Sequence, residues 1–224
     1  MPPERLTASA FAEMGLDGWR WLGHQLRTQL RAGGFGAAGA LAAQIAAAAD
    51  EADHHPAIEL RYPDRVLVRL WTHTAGSVTQ LDVDLARRID EIAATAGATH
   101  DPLDLRVSEI AIDALDVEAV RPFWEAVLGY RPGPSSKRDG PLDDLDDPFE
   151  LGPDVWFQQM DEPRPQRNRI HLDVWVPHDR AEQVIEAALA AGGRVVSDAE
   201  APSFWVLADP EGNEACICTW QSRD

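Results

Sequence analysis

Only two cysteines, Cys216 and Cys218, occur among the 224 residues, so no disulfide framework can hold this fold. Their i, i+2 spacing puts both on one face of a strand, with poor geometry for bridging each other. A reducing compartment is expected, and the cytoplasm is the expected location. Lysine is almost missing: Lys137 stands alone against 19 arginines. Long apolar runs are missing too. The weakly polar stretch from Ala32 to Ala49 is mostly Ala and Gly, with Gln44 inside it, which is too little for a membrane span. The start, Met1-Pro2-Pro3-Glu4-Arg5, lacks the basic and apolar segments of a signal peptide.

Positive charge is scarce overall. The formal net charge is −18. That excludes a general nucleic-acid binder, which needs clustered Lys and Arg, and docking on an anionic membrane. At 45% hydrophobic and 26% charged, the chain can still bury a core. The charge is unevenly spread. Residues 1–97 hold nine basic and twelve acidic residues, net −3; residues 98–224 hold 11 and 26, net −15. Between them Ala96-Gly97-Ala98-Thr99-His100-Asp101-Pro102 reads as a linker. The expected division is a domain over 1–97, a linker over 98–105 and a second domain over 106–224.

In the first half, Trp19 to Leu30 reads as a strand or hairpin region. The apolar spacing of Leu41, Ile45, Ala48 and Ala52 predicts a helix over Phe35 to Ala52. Strands are expected at Ile58–Tyr62 and Val66–Trp71 around a Pro63-Asp64 turn. A second helix, with Val83, Ala86, Ile89 and Ala93 inward, is expected from Thr79 to about Ala94. The second half repeats itself. Ile110-Ala111-Ile112 leads to Asp116, a helix with Val120, Phe123, Trp124 and Val127, then Leu128-Gly129. About 62 residues later Leu172–Val176 leads to Asp179, a helix with Val184, Ile185 and Leu189, then Gly192-Gly193. Both aspartates suit an N-cap. Strand-like segments follow each helix, so the unit is strand–helix–strands used twice. Between the units, Asp139 to Glu150 reads as a solvated acidic loop or a lid.

Three of the seven histidines fall in about 20 residues: Asp53-His54-His55-Pro56, then Thr72-His73, with Asp82 beyond. Two sit at a helix end and one at a strand end, which can bring imidazoles from two elements into one pocket. Imidazole titrates near neutrality, so one ring can give a proton while another accepts one. No Cys or Glu stands at ligand spacing, and adjacent histidines point apart, which argues against a metal here. Structural roles account for the same residues: a helix C-terminus at His54-His55-Pro56, and a capping box at Thr79-Gln80-Leu81-Asp82.

The segment Asp53–Pro56, Tyr62, Thr72–Asp82 and Leu85–Asp90 resembles pterin-4a-carbinolamine dehydratase, as does Gly18-Trp19; the resemblance covers about residues 5–95. It implies helices on one face of an antiparallel sheet, often in an oligomer. It implies loss of water from a 4a-hydroxytetrahydropterin, with His54, His55 and His73 as acid–base groups and Asp82 orienting them. Asp53, Pro56 and Thr72 are the implied substrate contacts. No metal or organic cofactor is implied. Ile58, Leu81 and Gly76-Ser77-Val78-Thr79 depart from the family pattern, so the pocket wall differs while the acid–base set is kept.

Residues 106–220, with Phe123-Trp124, Leu128-Gly129 and Asp209-Pro210-Glu211-Gly212-Asn213, resemble the glyoxalase/bleomycin-resistance/dioxygenase superfamily, and its glyoxalase-like branch most. The resemblance implies paired βαβββ modules forming a half-open barrel. Its metal-using members place four ligands on inner strand faces, and the matching positions here are Glu109, Gln158, His171 and Cys216. Such a mixed set suits no common hard metal, so a metal-free module is expected, with Glu109 and His171 as weak candidate ligands. Trp124, Trp156, Trp175, Trp205 and Trp220 read as core or pocket wall.

The whole chain thus reads as an α+β, two-domain hydro-lyase acting on a pterin. A small-molecule-binding glyoxalase-like domain is appended. The expected assembly is a homo-oligomer, with no nucleic-acid or membrane partner. The alternatives are a non-catalytic binding or dimerisation protein, and a metal-dependent lyase, isomerase or dioxygenase seated in the second domain.

Overall fold

The computed structural model describes residues 3–102, 105–133, 144–164, 166 and 170–222. They fall into two compact units that meet in sequence at Val107 and Ser108. None of the described helices is long and apolar enough to cross a membrane.

The first unit opens with a short helix α1 (Ala8–Ala12), capped by the Thr7 hydroxyl. Strands β1 (Arg20–Leu22) and β2 (Gln25–Arg31) follow, then helix α2 (Phe35–Ala52). Next come β3 (Ala57–Arg61), β4 (Arg65–Leu70), helix α3 (Gln80–Thr95) and β5 (Thr99–His100). The sheet order is β1-β2-β4-β3, with β5 paired to β2, and every pairing is antiparallel. Thr99 and His100, placed in a linker by composition, therefore belong to the sheet. His100 is held there: its Nδ1 is 2.8 Å from the Thr28 hydroxyl and its Nε2 is 3.2 Å from Asp90, which also accepts the Trp19 indole N–H at 2.8 Å. A Cβ on Gly18 would come within 2.5 Å of that imidazole, which explains glycine before Trp19.

Strict alternation sorts the sheet's two faces. Leu26 and Leu30 of β2 and Val66, Val68 and Leu70 of β4 are buried beneath the helices, with Leu41 and Ile45 of α2 and Val83, Ala86, Ile89 and Ala93 of α3. Ala52, expected on the buried stripe of α2, is exposed, because the helix ends there and the chain turns away.

The second unit repeats one topology. Its first module is β6 (Glu109–Ala114), α4 (Val117–Leu128), β7 (Arg131–Pro132), β8 (Leu145–Asp146) and β9 (Asp154–Gln159). The second is β10 (Leu172–Trp175), α5 (Ala181–Ala190), β11 (Arg194–Ser197), β12 (Phe204–Ala208) and β13 (Glu214–Cys218). The sheet orders are β6-β9-β8-β7 and β10-β13-β12-β11, the same order twice. In each, the first and last strands pair in parallel and the remaining pairs are antiparallel. These are two mixed four-stranded sheets; among the described residues no closed barrel forms. Both modules feed one core, from Ile112, Phe123 and Trp124 to Leu207, Ala215 and Ile217.

Three expectations need correction. Residues 139–143 of the acidic stretch lie outside the described residues, but Leu145 and Asp146 form strand β8, and Leu145 is fully buried. Asp179 does not cap α5: Arg180 stands at that position without a side-chain capping bond, because residues 178–180 form a turn closed by the Arg180 N–H on the Pro177 carbonyl. Leu189 is exposed, and Ala181 and Ala188 take the buried face of α5. Close packing explains the small residues, since a Cβ on Gly193 would meet the Phe123 ring at 2.4 Å. Asp116 does cap α4 through the Ala119 N–H.

The turn Asp209–Asn213 fastens the second module to the first. Asp209 is fully buried. Its carboxylate accepts the Trp124 indole N–H at 3.1 Å, the backbone N–H groups of Glu211 and Asn213, and the Asn213 side-chain amide. Glu211 reaches back to accept the backbone N–H groups of Leu115 and Asp116 at the start of α4. Replacing Asp209 by Ala should leave the buried indole and turn donors unpaired, at a cost of about 2–4 kcal/mol. Chemical denaturation checks this; a loss under about 0.5 kcal/mol would show that the turn holds without its carboxylate.

Candidate functional site

Helix α2 ends with Asp53 in the left-handed region (φ 49°), where Asp is better tolerated than most side chains. The Asp53 N–H bonds to the Asp50 carbonyl and the His54 N–H to the Ala49 carbonyl, a double closure that turns the chain sharply. His54 is thereby sent inward and His55 outward. At the other end, the Thr72 N–H bonds to the Ser77 carbonyl and the Gly76 N–H to the Thr72 carbonyl, with Gly76 at φ 59°. This tight loop carries the chain from β4 into the Thr79 cap of α3.

Asp82 joins these pieces. It is fully buried in the first turn of α3. Its Oδ1 is 2.7 Å from His54 Nε2. Its Oδ2 accepts the Thr72 hydroxyl at 2.8 Å and the Thr79 backbone N–H at 2.7 Å. An ionised carboxylate only accepts, so His54 Nε2 carries the proton and Nδ1 is the ring nitrogen left for other chemistry. The Thr72 proton goes to Asp82, so Thr79, 2.7 Å away, donates to Thr72 while accepting the Leu81 N–H. Asp82 therefore closes the capping box with one oxygen and holds His54 with the other.

His55 and His73 are both exposed. His55 Nε2 lies 3.1 Å from Asp50. Ala57 faces Arg69 at the end of the β3–β4 ladder, and His55 and Trp71 lie two residues beyond it in sequence. The His73 ring leans on the Trp71 indole, with centroids 4.5 Å apart. All three histidines thus gather at one end of the β3–β4 pair, with Thr72 and Asp82 beneath. Asp53 is an exposed helix terminus, and Pro56 is half-buried at the start of β3. The sequence marked Thr79 only as a helix cap and Trp71 only as the end of a strand; two-residue alternation, which puts Trp71 on the face of Arg69, was the available signal for the latter.

In the second unit, one face of β10, β13 and β12 enters the core and the other does not. Leu172, Val174, Ala215 and Ile217 face inward. Asp173 pairs with Cys216 and then Val206 on the other face, and Trp175 with Cys218 and then Phe204. His171, Asp173 and Cys216 each offer one ligand atom, all within 4.8 Å of one another. Asp173, missed in the sequence, lies two residues from His171 on the same strand face. Glu109, at the start of β6, is not part of this cluster, and Gln158 is exposed on β9. Neither cysteine is in a disulfide, and both are buried. Burial, and then the charge and hydrogen bond of Asp173, push the Cys216 thiol up to about 11. Trp124 is core and Trp156 and Trp205 are half-buried, but Trp175 and Trp220 are more than half exposed. Trp220 instead donates its indole N–H to His178.

Residues 3–92 match the family model for pterin 4 alpha carbinolamine dehydratase. A Nocardia farcinica protein provisionally named pterin-4-alpha-carbinolamine dehydratase is 43% identical over 84 residues, which cover 38% of this chain and 87% of that protein. The chain belongs to the pterin-4a-carbinolamine dehydratase family. A Streptomyces coelicolor protein of the same provisional name is 38% identical over 101 residues, 44% of this chain and 99% of its own. Residues 109–218 match the glyoxalase-like domain, which forms the C-terminal part of this dehydratase-family chain. A solved glyoxalase/bleomycin resistance protein/dioxygenase family enzyme from Burkholderia phytofirmans shares 21% identity, covering 50% of this chain and 96% of that one, with a TM-score of 0.41.

The donors at His171, Asp173 and Cys216 are one nitrogen, one oxygen and one sulfur, a set that fits zinc better than a hard cation. A metal held there would supply Lewis-acid chemistry.

Two predictions follow from these sites. Asp82→Ala removes the acceptor for His54, Thr72 and Thr79 together and should cost about 3 kcal/mol by chemical denaturation; a neutral result would mean that the three donors find other partners. In metal-free protein, Cys216 should alkylate far more slowly at neutral pH than free cysteine and quicken as pH approaches about 11. Rapid modification at neutral pH would show that the thiol is not held in its neutral form.

Proposed function

We propose that the first unit dehydrates a 4a-hydroxytetrahydropterin. The observation that carries this reading is the buried His54–Asp82–Thr72 network lying beneath the exposed His55 and His73 at one end of the sheet. In the reaction the bond from carbon 4a to its hydroxyl breaks, and the oxygen leaves as water with a proton from an acid. The adjacent ring nitrogen gives its proton to a base, and its N–H electron pair becomes the new carbon–nitrogen double bond of the quinonoid dihydropterin. Two imidazoles suffice for this exchange near neutral pH. His54, whose Nε2 is held by Asp82, and His73, exposed beside Trp71, are the pair assigned to it. His55, Pro56 and Asp53 shape the rim, with Thr72 beneath them in the Asp82 network. Ile58 and Leu81 change the wall of the pocket without touching the proton path.

The second unit is read as a small-molecule binding module, its two sheets curving into a half-open barrel. The face bearing Asp173, Trp175 and Cys216 is the binding surface, because an indole more than half exposed beside a buried thiol is a natural platform for a planar or apolar ligand. Assembly into a homo-oligomer accompanies this reading.

His73→Ala should lower dehydration turnover by about 10²–10⁴ with the fold intact. The assay is dehydration of a 4a-hydroxytetrahydropterin by the full chain, beside a His54→Ala variant. Wild-type rates in His73→Ala would remove His73 from the mechanism, and no dehydration by the folded wild-type chain would favour a binding or dimerisation role.

A further inference from the structure

The open face of the first unit's sheet is unusual for a chain of net charge −18. Six of the nine basic residues within residues 1–97 stand on it: Arg20, Arg27, Arg31, Arg61, Arg65 and Arg69. Register sorts them into two rows. Arg20 of β1 faces Arg27 of β2, which faces Arg69 of β4, which faces Ala57 of β3. Four residues further along β2, Arg31 faces Arg65, and Arg65 faces Arg61. Neighbours within a row are ~4.8 Å apart, and the rows ~13 Å apart.

The first row adjoins the histidine site. Two residues beyond Arg69 comes Trp71, whose indole meets the His73 ring. The step from arginine row to aromatic site is therefore ~6.7 Å. The row itself contains no acid, and its end nearest His55 is the small Ala57. Arg20 donates to the backbone carbonyls of Asp17 and Trp19, and Arg27 to the Gln25 side chain. Glu59 in the next row pairs with both Arg69, at 3.1 Å, and Arg61, at 2.6 Å. One carboxylate is thus shared between two guanidinium groups. A second anion arriving beside Arg69 and Arg27 meets a positive surface with donors arranged for forked contacts.

From this juxtaposition we infer that the site takes pterins whose ring substituent is anionic, a carboxylate or phosphate ester, with Arg27 and Arg69 holding the anion while the ring lies at His55, Trp71 and His73. The inference rests on the dehydratase reading and adds its substrate class. Neutral-tailed pterins would leave the row unused.

The test compares 6-hydroxymethylpterin with its phosphate ester and with 6-carboxypterin, binding being followed by quenching of tryptophan fluorescence in the full chain. The anionic pterins should bind roughly tenfold to a hundredfold more tightly than the neutral one at low salt, and the ratio should shrink as salt rises. In an Arg27→Gln/Arg69→Gln variant the ratio should fall toward one, whereas Arg27→Lys/Arg69→Lys should keep most of it. If the Gln variant does not fold, the wild-type ratio and its salt dependence decide the matter alone. Equal affinities for neutral and anionic pterins, or a ratio indifferent to both salt and the Gln changes, overturn the inference. Dehydration of neutral 4a-hydroxytetrahydropterins alongside that result would leave the dehydratase reading standing. An anionic preference without dehydration of any pterin supports the inference on substrate charge and overturns the dehydratase reading instead.

Discussion

A carboxylate in a protein interior is tolerated only when hydrogen-bond donors surround it, and Asp82 is fully buried. Its donors come from three separate stretches of chain: His54 at the end of α2, Thr72 beyond β4, and the Thr79 backbone at the start of α3. None of the three would be placed without the others. The left-handed turn at Asp53 aims His54, the Thr72–Ser77 loop aims Thr72, and the cap of α3 presents Asp82 to both. One interaction therefore sets the helix start, the loop, and the orientation of a histidine. The exposed His55 and His73 inherit their positions from the same chain turns.

The second unit solves a parallel problem with a parallel device. Buried Asp209 collects the indole of Trp124 and the donors of its own turn, and Glu211 caps the start of α4. Two copies of a small strand–helix–strands unit, each too small to bury its own apolar face, are joined into one core by this polar clasp and by α4 against α5. The opposite face of β10, β13 and β12 stays out of that core, and it carries Trp175 and the His171–Asp173–Cys216 cluster.

The charge division has a spatial counterpart. Residues 1–97 are nearly neutral in sum, yet most of their arginines stand on one sheet face and their acids largely elsewhere. A small net charge conceals a strongly polar surface, because strand alternation segregates what a sum over the sequence averages. For a substrate recognised at the sheet's end, that local field matters more than the −18 of the chain.

Much of this was legible in the residues themselves. Periodicity places α2, α3 and α4, because a helix that buries one face must repeat its apolar residues every three or four positions. The histidine spacing announces the first site, and the echo around Asp116 and Leu172 announces the duplicated unit. Local patterns of this kind need no knowledge of partners. Pairing across distant segments is different. That Thr99 and His100 complete the first sheet, that Leu145 fills the second core, that Asp173 rather than Glu109 joins His171 and Cys216, and that arginines from β1, β2 and β4 line up in one row all depend on strand register. Register is decided by the packing of the whole sheet against its helices, and only the tertiary structure carries it.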